Sequence, residues 1–270
     1  MRLKDKAAVI TGSSSGIGRG CAELFAEEGA YVIVSDDGAR EGLGQQVADR
    51  IVAAGGRASY FRANVLNPDE LQKLIRYAEE TCGRLDILMN NAYTGRVASV
   101  VEQEEADWDV VFGSSVKAAF LGSKYALPGM MKAGGGSIIN TASVHGLLGG
   151  RRHSAYAAAK AAIINLSRQM ALDYGKHNIR VNAICPGRIV TEGKIEFLEK
   201  YPEEVRRQKA TYPLGRPGTM REAAMAALFL ASDESSFVTG HALVVDGGLT
   251  AQLADGVAES VEEGLGIWNQ

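Results

Sequence analysis

Short apolar runs alternate along this 270-residue chain with longer amphipathic stretches, a pattern typical of α/β proteins. A helical pattern separates each run from the next, and the longest extends from about Glu104 to Met131. Because strands joined through helices run parallel, we predict one Rossmann-like, doubly wound sheet over residues 1–250, with helices on both faces. The seven predicted strands are Ala7–Thr11, Tyr31–Ser35, Ala58–Phe61, Leu85–Met89, Ser137–Thr141, Ile179–Ile184 and Ala242–Val245.

Two stretches depart from this alternation. Residues 188–217 are rich in charged side chains, and we interpret them as a helical insertion that closes over the strand ends as a lid. A solvated pair of helices without a gating role is the alternative. Residues 251–270 are acidic and lack a regular pattern, so they are predicted to form a C-terminal tail with a neighbouring subunit as its candidate docking surface.

Composition narrows the range of partners. Hydrophobic residues make up 46% of the chain, enough for a sizeable core, and the net charge is −3. No segment is strongly basic and no apolar run approaches the roughly 18 residues of a membrane span, so nucleic acid and membranes are not expected partners. The N-terminus has no signal-peptide core, and Cys21, Cys82 and Cys185 match neither a disulfide framework nor zinc-ligand spacing. We therefore expect a cytoplasmic protein without a metal site.

A glycine-rich segment follows the first predicted strand and opens a helix that ends at Gly29. Glycines let the backbone approach a pyrophosphate closely, and a helix N-terminus offers free N–H groups and a positive dipole end. Because the segment lies inside a strand–helix–strand unit, it predicts a dinucleotide site rather than only a structural turn. The predicted cofactor-binding residues here are Gly12, Ser14, Ser15, Gly16, Ile17 and Gly18.

The second predicted strand ends at Asp36, which bears on the choice of cofactor. A carboxylate at this position accepts hydrogen bonds from an adenosine ribose and repels a 2′-phosphate. No arginine or lysine lies within Gly12–Gly18 or directly after Asp36, and Arg40 is the nearest. The sequence therefore favours NAD over NADP, unless Asp36 only solvates a loop.

Tyr156 and Lys160 lie four residues apart in a run rich in helix formers, so they are predicted to share one face of a helix. The ammonium group is expected to lower the pKa of the phenol from about 10 toward working pH, which suits a general acid or base. Ser143 lies just past the strand Ser137–Thr141, at the edge where open α/β sheets bind ligands. Taken alone, a Tyr-x-x-x-Lys pattern is typical of an ordinary helix surface, and the other motifs give it its weight.

These motifs stand in the order found in classical short-chain dehydrogenases/reductases, and the chain resembles that family from about Leu3 to Gly248. They correspond to the family's cofactor loop, its motif after the fourth strand, its catalytic residues and its nicotinamide-side loop. The matching positions are Thr11–Gly18, Asn90–Ala92, Ser143, Tyr156, Lys160, Pro186, Gly187, Ile189 and Thr191.

The resemblance implies a role for each matching residue. Tyr156 would exchange a proton with the substrate oxygen, Lys160 would lower the pKa of Tyr156 and hold the nicotinamide ribose, and Ser143 would hydrogen-bond the substrate oxygen. It also implies a homotetramer, packed through helices of the Trp108 and Tyr156 regions. The implied cofactor contacts are Asn64, Val65 and Asn91 on the adenosine and ribose side, and Pro186, Gly187, Ile189 and Thr191 on the nicotinamide side.

Three positions depart from the family pattern. Ser115, seven residues past Trp108, stands where the family usually has an asparagine. We retain Ser115 as a candidate catalytic residue, which either still allows a water on the backbone carbonyl or weakens the proton relay. Tyr93 replaces a usual glycine and is expected to narrow the pocket or to stack on a ligand. Asn64 replaces a common aspartate, which would change one adenine contact.

Arg151, Arg152 and His153 lie between Ser143 and Tyr156, where substrate-facing residues often occur. One hypothesis is that they attract an anionic or highly hydroxylated substrate. An exposed loop or a subunit contact is the alternative.

The sequence therefore predicts an NAD(H)-dependent oxidoreductase that interconverts a secondary alcohol and a ketone. A polyol, a sugar and a hydroxy acid are among its candidate substrates. Two other functions remain open: a dehydratase or epimerase that keeps its cofactor bound, and a catalytically silent dinucleotide-binding sensor. Ser115 and Tyr93 motivate the sensor, whereas an intact set of Ser143, Tyr156 and Lys160 argues against it.

Overall fold

Strands and helices alternate through the computed structural model, which describes residues 1–191, 200–201 and 210–252. The elements are β1 (Ala7–Thr11), α1 (Gly16–Glu27), β2 (Tyr31–Ser35), α2 (Leu43–Ala53), β3 (Arg57–Tyr60), α3 (Pro68–Cys82), β4 (Ile87–Asn90), α4 (Glu105–Phe112), a π-helical turn (Gly113–Lys117), α5 (Ala118–Lys132), β5 (Gly136–Thr141), α6 (Ser154–Tyr174), β6 (Ile179–Pro186), β7 (Ile189–Val190), β8 (Gly218–Thr219), α7 (Met220–Ala231) and β9 (Ala242–Val245).

Seven of the described strands form one parallel sheet in the order β3-β2-β1-β4-β5-β6-β9. The chain starts at the central strand β1, moves outward to β3, crosses back to β4 and then moves outward on the other side. Strand order therefore reverses between β1 and β4, and such a reversal leaves a crevice at the carboxyl ends of the strands. The predicted doubly wound parallel fold is confirmed.

The core has two apolar layers, one on each face of the sheet. Every residue of β1 is buried, as expected for a central parallel strand, and its side chains alternate between the layers. Ile10 packs with α1, α2 and α7 on one face, whereas Val9 packs with α3, α5 and α6 on the other. Because helices pack on both faces of the sheet, the carboxyl ends of the strands and the residues that follow them are held side by side along one edge.

Helix α3 begins as its sequence predicts. The side chain of Asn67 accepts a hydrogen bond from the backbone N–H of Asp69 at 3.0 Å, and Pro68 occupies the first helical position. Gly83 ends the helix in the left-handed conformation with φ of 75°.

The single helix predicted from Glu104 to Met131 is wrong in one respect, because a π-helical turn separates α4 from α5. Ser115 lies in this turn, and its hydroxyl donates a hydrogen bond to the Val111 carbonyl four residues earlier. A serine hydroxyl that donates to this carbonyl competes with the regular helical hydrogen bond. Turns of π-helix occur frequently at functional sites.

Parts of the chain with predicted roles lie outside the described residues. The proposed lid over residues 188–217 includes 192–199 and 202–209, and the proposed tail over 251–270 includes 253–270, so both remain predictions. The described ends of the lid segment are held together by the parallel pairing of β7 with β8. None of the helices in the described part of the chain combines the length and the apolar character needed to cross a bilayer.

Candidate active site

A cavity of about 720 Å³ lies along the carboxyl ends of the strands, at the crevice between β1 and β4. This volume lies in the usual range for small-molecule and cofactor sites. The structure brings together at this cavity all but two of the residues predicted from the sequence. The predicted residues that line it are Gly12, Ser14, Ser15, Gly16, Ile17, Asp36, Asn64, Val65, Asn91, Ser143, Tyr156, Lys160, Pro186, Gly187, Ile189 and Thr191.

The glycine loop is compact because backbone from two strands meets there. Gly12 adopts φ of +63°, and a Cβ atom at this position would lie 2.8 Å from the Cα of Ala92. Ser15 precedes the first residue of α1 without making a side-chain capping hydrogen bond. The first N–H groups of α1 are therefore not capped by that side chain, which fits a phosphate group at the helix N-terminus.

Gly18 does not line the cavity, so its predicted role as a cofactor contact gains no support from the structure and stays a prediction. A Cβ at Gly18 would lie 2.3 Å from the carbonyl oxygen of Gly12 and 2.5 Å from Nδ2 of Asn91. This glycine is needed so that α1 can pack closely against the loop.

A chain of hydrogen bonds connects the glycine loop to the predicted catalytic lysine. Nδ2 of Asn91 donates to the carbonyl oxygens of Thr11 at 3.0 Å and Gly12 at 3.1 Å. Its Oδ1 accepts from the Thr141 hydroxyl at 3.2 Å, and the Thr141 carbonyl accepts from Nζ of Lys160 at 2.6 Å. Asn91 therefore fixes the cofactor loop and the catalytic strand end relative to one another.

Asp36 provides the clearest test of whether the cavity fits a dinucleotide. Its side chain is 8% exposed, and Oδ1 accepts hydrogen bonds from the Tyr60 hydroxyl at 2.7 Å and from the Gly38 backbone N–H at 2.9 Å. Oδ2 is buried and has no hydrogen-bond partner. A buried carboxylate oxygen without a donor is costly, so the site fits a ligand that brings hydroxyl groups, as a ribose does.

Ser143, Tyr156 and Lys160 lie together at the other end of the cavity. The first follows β5, and the other two project from one face of α6, as predicted. Nζ of Lys160 lies 5.5 Å from the centre of the Tyr156 ring. The Ser143 hydroxyl accepts a hydrogen bond from the His145 backbone N–H at 3.2 Å, and its interaction with Tyr156 lowers the pKa of that phenol.

The expected lowering of the Tyr156 pKa is wrong for this structure. Burial raises the pKa of Tyr156, and the hydrogen bond from Ser143 only partly opposes this effect. Burial also lowers the pKa of Lys160 from 10.5 to about 8. The attraction between the two groups favours their charged forms. Folding also removes water from both groups, and this disfavours the phenolate and the ammonium alike.

An aromatic cluster surrounds the Tyr156 ring. The Tyr93 ring lines the cavity and lies edge-on to Tyr156 with 5.0 Å between centroids, so whether it narrows the pocket or stacks on a ligand stays a prediction. His145 and His153 stack on each other at 4.3 Å, and each lies 5.9 Å from the Tyr156 ring in edge-on geometry. A Cβ at Gly150 would lie 2.2 Å from the His145 ring, so this glycine makes room for the stack.

The three residues expected to attract an anionic or hydroxylated substrate, Arg151, Arg152 and His153, differ in where they lie. Arg151 and Arg152 are exposed and do not line the cavity, and Arg152 forms an ion pair with Glu102 at 2.8 Å. Of the three side chains in that hypothesis, only His153 contacts the catalytic tyrosine. The cationic residues that line the cavity are Arg40, Lys160 and Arg188.

Ser115 lies beside the main cavity, not in it, and its place among the catalytic candidates stays a prediction. It borders a separate void of about 10 Å³, close to the smallest volume that holds one water molecule. Its neighbour Ser114 lines both spaces and exchanges hydrogen bonds with the Thr94 backbone. Ser115 therefore contributes to the π-helical turn beside the site through its hydrogen bond to the Val111 carbonyl.

Sequence reasoning missed several residues that build the site. Tyr60 and His145 gave no local signal, because one is a strand aromatic and the other an isolated histidine in a loop. Asn90 belongs to the motif after the fourth strand, and its buried side-chain amide donates a hydrogen bond to Oδ1 of Asn140 on the neighbouring strand at 2.9 Å. The amide of Asn140 in turn donates to the Ser167 hydroxyl at 2.9 Å, which ties α6 to the sheet beneath the catalytic residues. Only the register of β4 with β5 brings these groups together.

Metal and thiol chemistry have no geometric support in the described residues. No group of three or more His, Cys, Asp and Glu side chains there is arranged to hold a metal ion. Cys185 is fully buried and does not line the cavity, and burial raises the pKa of its thiol to about 11. It therefore lacks the thiolate character that reactive cysteines need.

A doubly wound parallel sheet with a glycine-lined crevice and a Ser–Tyr–Lys group beside it is typical of dinucleotide-dependent oxidoreductases. Comparison with known proteins places the chain within that class. A family model described as enoyl-(acyl carrier protein) reductase matches residues 12–250. The chain belongs to the short-chain dehydrogenase/reductase family.

Characterised relatives include enzymes of different substrate range. The chain is 42% identical to 2-(S)-hydroxypropyl-CoM dehydrogenase 3 of Xanthobacter autotrophicus, over 93% of this chain and 98% of that protein. It is 39% identical to the cyclohexanol dehydrogenase of an Acinetobacter species, over 93% and 97% of the two chains. These relatives support an oxidoreductase.

A solved structure bears on the cofactor. A protein of Beutenbergia cavernae, provisionally assigned as an NAD(P)-dependent gluconate 5-dehydrogenase, superposes with a TM-score of 0.85 and 34% identity. The match covers 93% of this chain and 98% of that one, and the crystal contains NADP at low occupancy. The neighbour supports a nicotinamide dinucleotide as cofactor and leaves the choice between NAD and NADP open.

Proposed function

We propose that the protein is an NAD(H)-dependent dehydrogenase that interconverts a secondary alcohol and a ketone. The observation that carries the proposal is the convergence of Ser143, Tyr156 and Lys160 on the cavity that the glycine loop and Asp36 also line. A dinucleotide that spans this cavity would place its two halves against the two groups of residues. Polyols, sugars and hydroxy acids remain candidate substrates.

The adenosine half would be held by Asp36, Asn64 and Val65, and the pyrophosphate by the loop Gly12–Ile17. The nicotinamide half would lie against the segment 186–191 and Lys160. Bound NAD would supply the hydride acceptor for oxidation, and NADH the donor for reduction. The preference for NAD rests on Asp36, because its buried carboxylate would lie against a 2′-phosphate.

The protein would position the substrate and move one proton. In the direction of reduction, Ser143 would hydrogen-bond the carbonyl oxygen while the neutral Tyr156 phenol donates its proton to that oxygen. The raised pKa of Tyr156 means that the phenol is the resting form, which is ready to donate. In oxidation the same tyrosine, as phenolate, would accept the hydroxyl proton.

Lys160 would support this transfer as a group that exchanges protons near working pH. Its pKa of about 8 leaves comparable amounts of the charged and neutral forms in mildly alkaline solution. Its Nζ lies 5.5 Å from the Tyr156 ring centre, and the Thr141 carbonyl holds the group in place. A charged Lys160 would stabilise the phenolate when it forms.

The testing experiment follows nicotinamide absorbance with purified protein, NAD⁺ or NADP⁺, and a panel of secondary alcohols, polyols, sugars and hydroxy acids. We expect turnover with NAD⁺ that is lost in Tyr156→Phe. Turnover only with NADP⁺ would contradict the cofactor assignment but retain the chemistry. Tight NADH binding without turnover in either direction would favour a silent sensor instead.

Two wider expectations accompany this proposal. A homotetramer is expected from the family, and size-exclusion chromatography with light scattering tests it directly. A cytoplasmic location is also proposed, and fractionation of the source cells tests it.

A further inference from the structure

The two oxygens of the Asp36 carboxylate have unequal surroundings. Oδ1 accepts two hydrogen bonds, from the Tyr60 hydroxyl at 2.7 Å and the Gly38 N–H at 2.9 Å. Oδ2 is buried with no partner. Two donors on one oxygen restrict rotation of the carboxylate, because turning it would break both bonds. The unpartnered oxygen is therefore held in one place.

Tyr60 reaches Asp36 because of strand register and a small residue on the neighbouring helix. Tyr60 ends β3 opposite Val34, two residues before Asp36. Its ring passes next to Gly44 in α2, where a Cβ atom would lie 2.2 Å from the ring and 3.0 Å from Oδ2 of Asp36. Any larger residue at position 44 would displace the ring or the carboxylate. The strand, the helix and the turn after β2 all hold the same acidic group.

The donors around Asp36 are neutral. Among the described residues no cation forms an ion pair with Asp36, and the nearby Arg62 donates instead to the Asp37 carbonyl at 3.0 Å. Burial and the adjacent carboxylate raise the pKa of Tyr60 well above its usual range, so the phenol keeps its proton. Neutral donors orient the carboxylate without cancelling its charge, whereas a cation would weaken its repulsion of a phosphate.

We propose that Tyr60 is a positioning residue for cofactor selection, which fixes Oδ1 of Asp36 so that the carboxylate is oriented at the edge of the cavity for an adenosine ribose and keeps its charge against a 2′-phosphate. The inference rests on the proposed use of NAD. It assigns the selectivity to a pair of side chains, on β2 and β3, rather than to the acidic residue alone.

The test measures cofactor binding directly, without substrate or turnover. Dissociation constants for NADH and NADPH are determined by nucleotide fluorescence and calorimetry for the wild type, Tyr60→Phe and Tyr77→Phe. Tyr77 is a matched control, since it stacks on Phe61 at 4.9 Å and does not line the cavity. We expect Tyr60→Phe to weaken NADH binding about tenfold while NADPH binding changes by less than about threefold, as for a lost hydrogen bond to a charged group. Tyr77→Phe should change neither.

Equal weakening for both cofactors would overturn the inference, because it would indicate general loosening of the site. Unchanged NADH affinity would also overturn it. Gly44→Ala supplies a second test: it pushes on the Tyr60 ring without removing a hydroxyl, and we expect the same selective loss for NADH. A preserved NADH-to-NADPH ratio in that variant would contradict the proposal.

Asp36→Asn separates this inference from the proposed function. If the wild type does not bind NADH more tightly than NADPH, the NAD preference itself fails, and if Asp36→Asn leaves the ratio of the two affinities unchanged, its assignment to Asp36 fails. If Asp36→Asn lowers the ratio but Tyr60→Phe does not, the NAD preference stands and only the role of Tyr60 fails. Circular dichroism confirms that each variant is folded before the affinities are compared.

Discussion

The adenosine end and the catalytic end of the cavity treat charge in opposite ways. At the adenosine end, Asp36 is surrounded by neutral donors that orient it and leave its charge intact. At the catalytic end, Tyr156 and Lys160 are desolvated so that the charged form of each is disfavoured. A binding group needs a fixed charge. At the catalytic end, burial brings the two forms of Lys160 close in free energy near pH 8 and keeps Tyr156 in its neutral, proton-donating form. The charged or proton-transferring groups at both ends of the cavity are shielded from water, and their hydrogen-bond partners decide how this shielding affects their charge.

The largest effect should come from removing the hydroxyl of the catalytic tyrosine. We expect Tyr156→Phe to lower kcat about 10³-fold, because no other group replaces the proton donor. NADH affinity should stay within about threefold, since the adenosine end is untouched. Tyr93→Phe is the matched control, because its ring lies only 5.0 Å from that of Tyr156. Steady-state kinetics and fluorescence titration measure both quantities, and comparable kcat losses in the two variants would contradict the assignment.

The buried lysine should make stability depend on pH. Native Lys160 loses its proton near pH 8, whereas the unfolded chain keeps it until about 10.5, so the unfolded state binds more protons in that window. The free energy of unfolding should therefore rise with pH between 8 and 10.5, by up to about 3 kcal/mol for the whole shift. Denaturant unfolding of the wild type and Lys160→Met across this range isolates the contribution. Parallel curves would show that Lys160 keeps its ordinary pKa.

A third change disturbs only the glycine loop. Gly18→Ala places a Cβ 2.3 Å from the Gly12 carbonyl, so we expect a loss of about 1–3 kcal/mol in stability and weaker NADH binding. Gly149→Ala is the control, because a Cβ there meets nothing within 4 Å. Thermal unfolding and fluorescence titration provide the measurements. Normal NADH affinity in a stable Gly18→Ala protein would show that close packing at this glycine does not control the loop.

The smallest effect is expected at the π-helical turn. Ser115→Ala removes one hydrogen bond to Val111 and should cost about 1 kcal/mol in stability, with kcat within about threefold of the wild type. Ser114→Ala is the comparison, because that hydroxyl lines the main cavity and should alter the KM for substrate more strongly. A large loss of kcat in Ser115→Ala alone would support Ser115 as a member of the catalytic group.

Much of the fold was predictable because the strands and helices of a parallel sheet have recognisable patterns in their own local sequence. A fully buried strand such as β1 needs a continuous apolar run, and α3 shows its cap and its glycine end in its own residues. The break at Ser115 was not predictable, because Gly113–Lys117 reads as ordinary helix in sequence. The Ser115 hydroxyl reaches the Val111 carbonyl only once the helix has formed, and there it competes with the backbone N–H for that carbonyl.

The candidate site also has features that the local sequence predicts and features that depend on the folded structure. Spacing along one helix placed Tyr156 with Lys160, and the position of Asp36 after its strand placed it at the binding edge, because both relations are local in sequence. Proton affinities depend instead on the water that folding removes, so the direction of the Tyr156 pKa shift came only from burial.

The sequence by itself determined the succession of strands and helices and the residue types at each strand end. The tertiary structure decided which distant residues share a site: Tyr60 with Asp36 across β2 and β3, and His145 with His153 around Tyr156. Contacts between residues far apart in sequence depend on register and packing, and no local pattern carries that information.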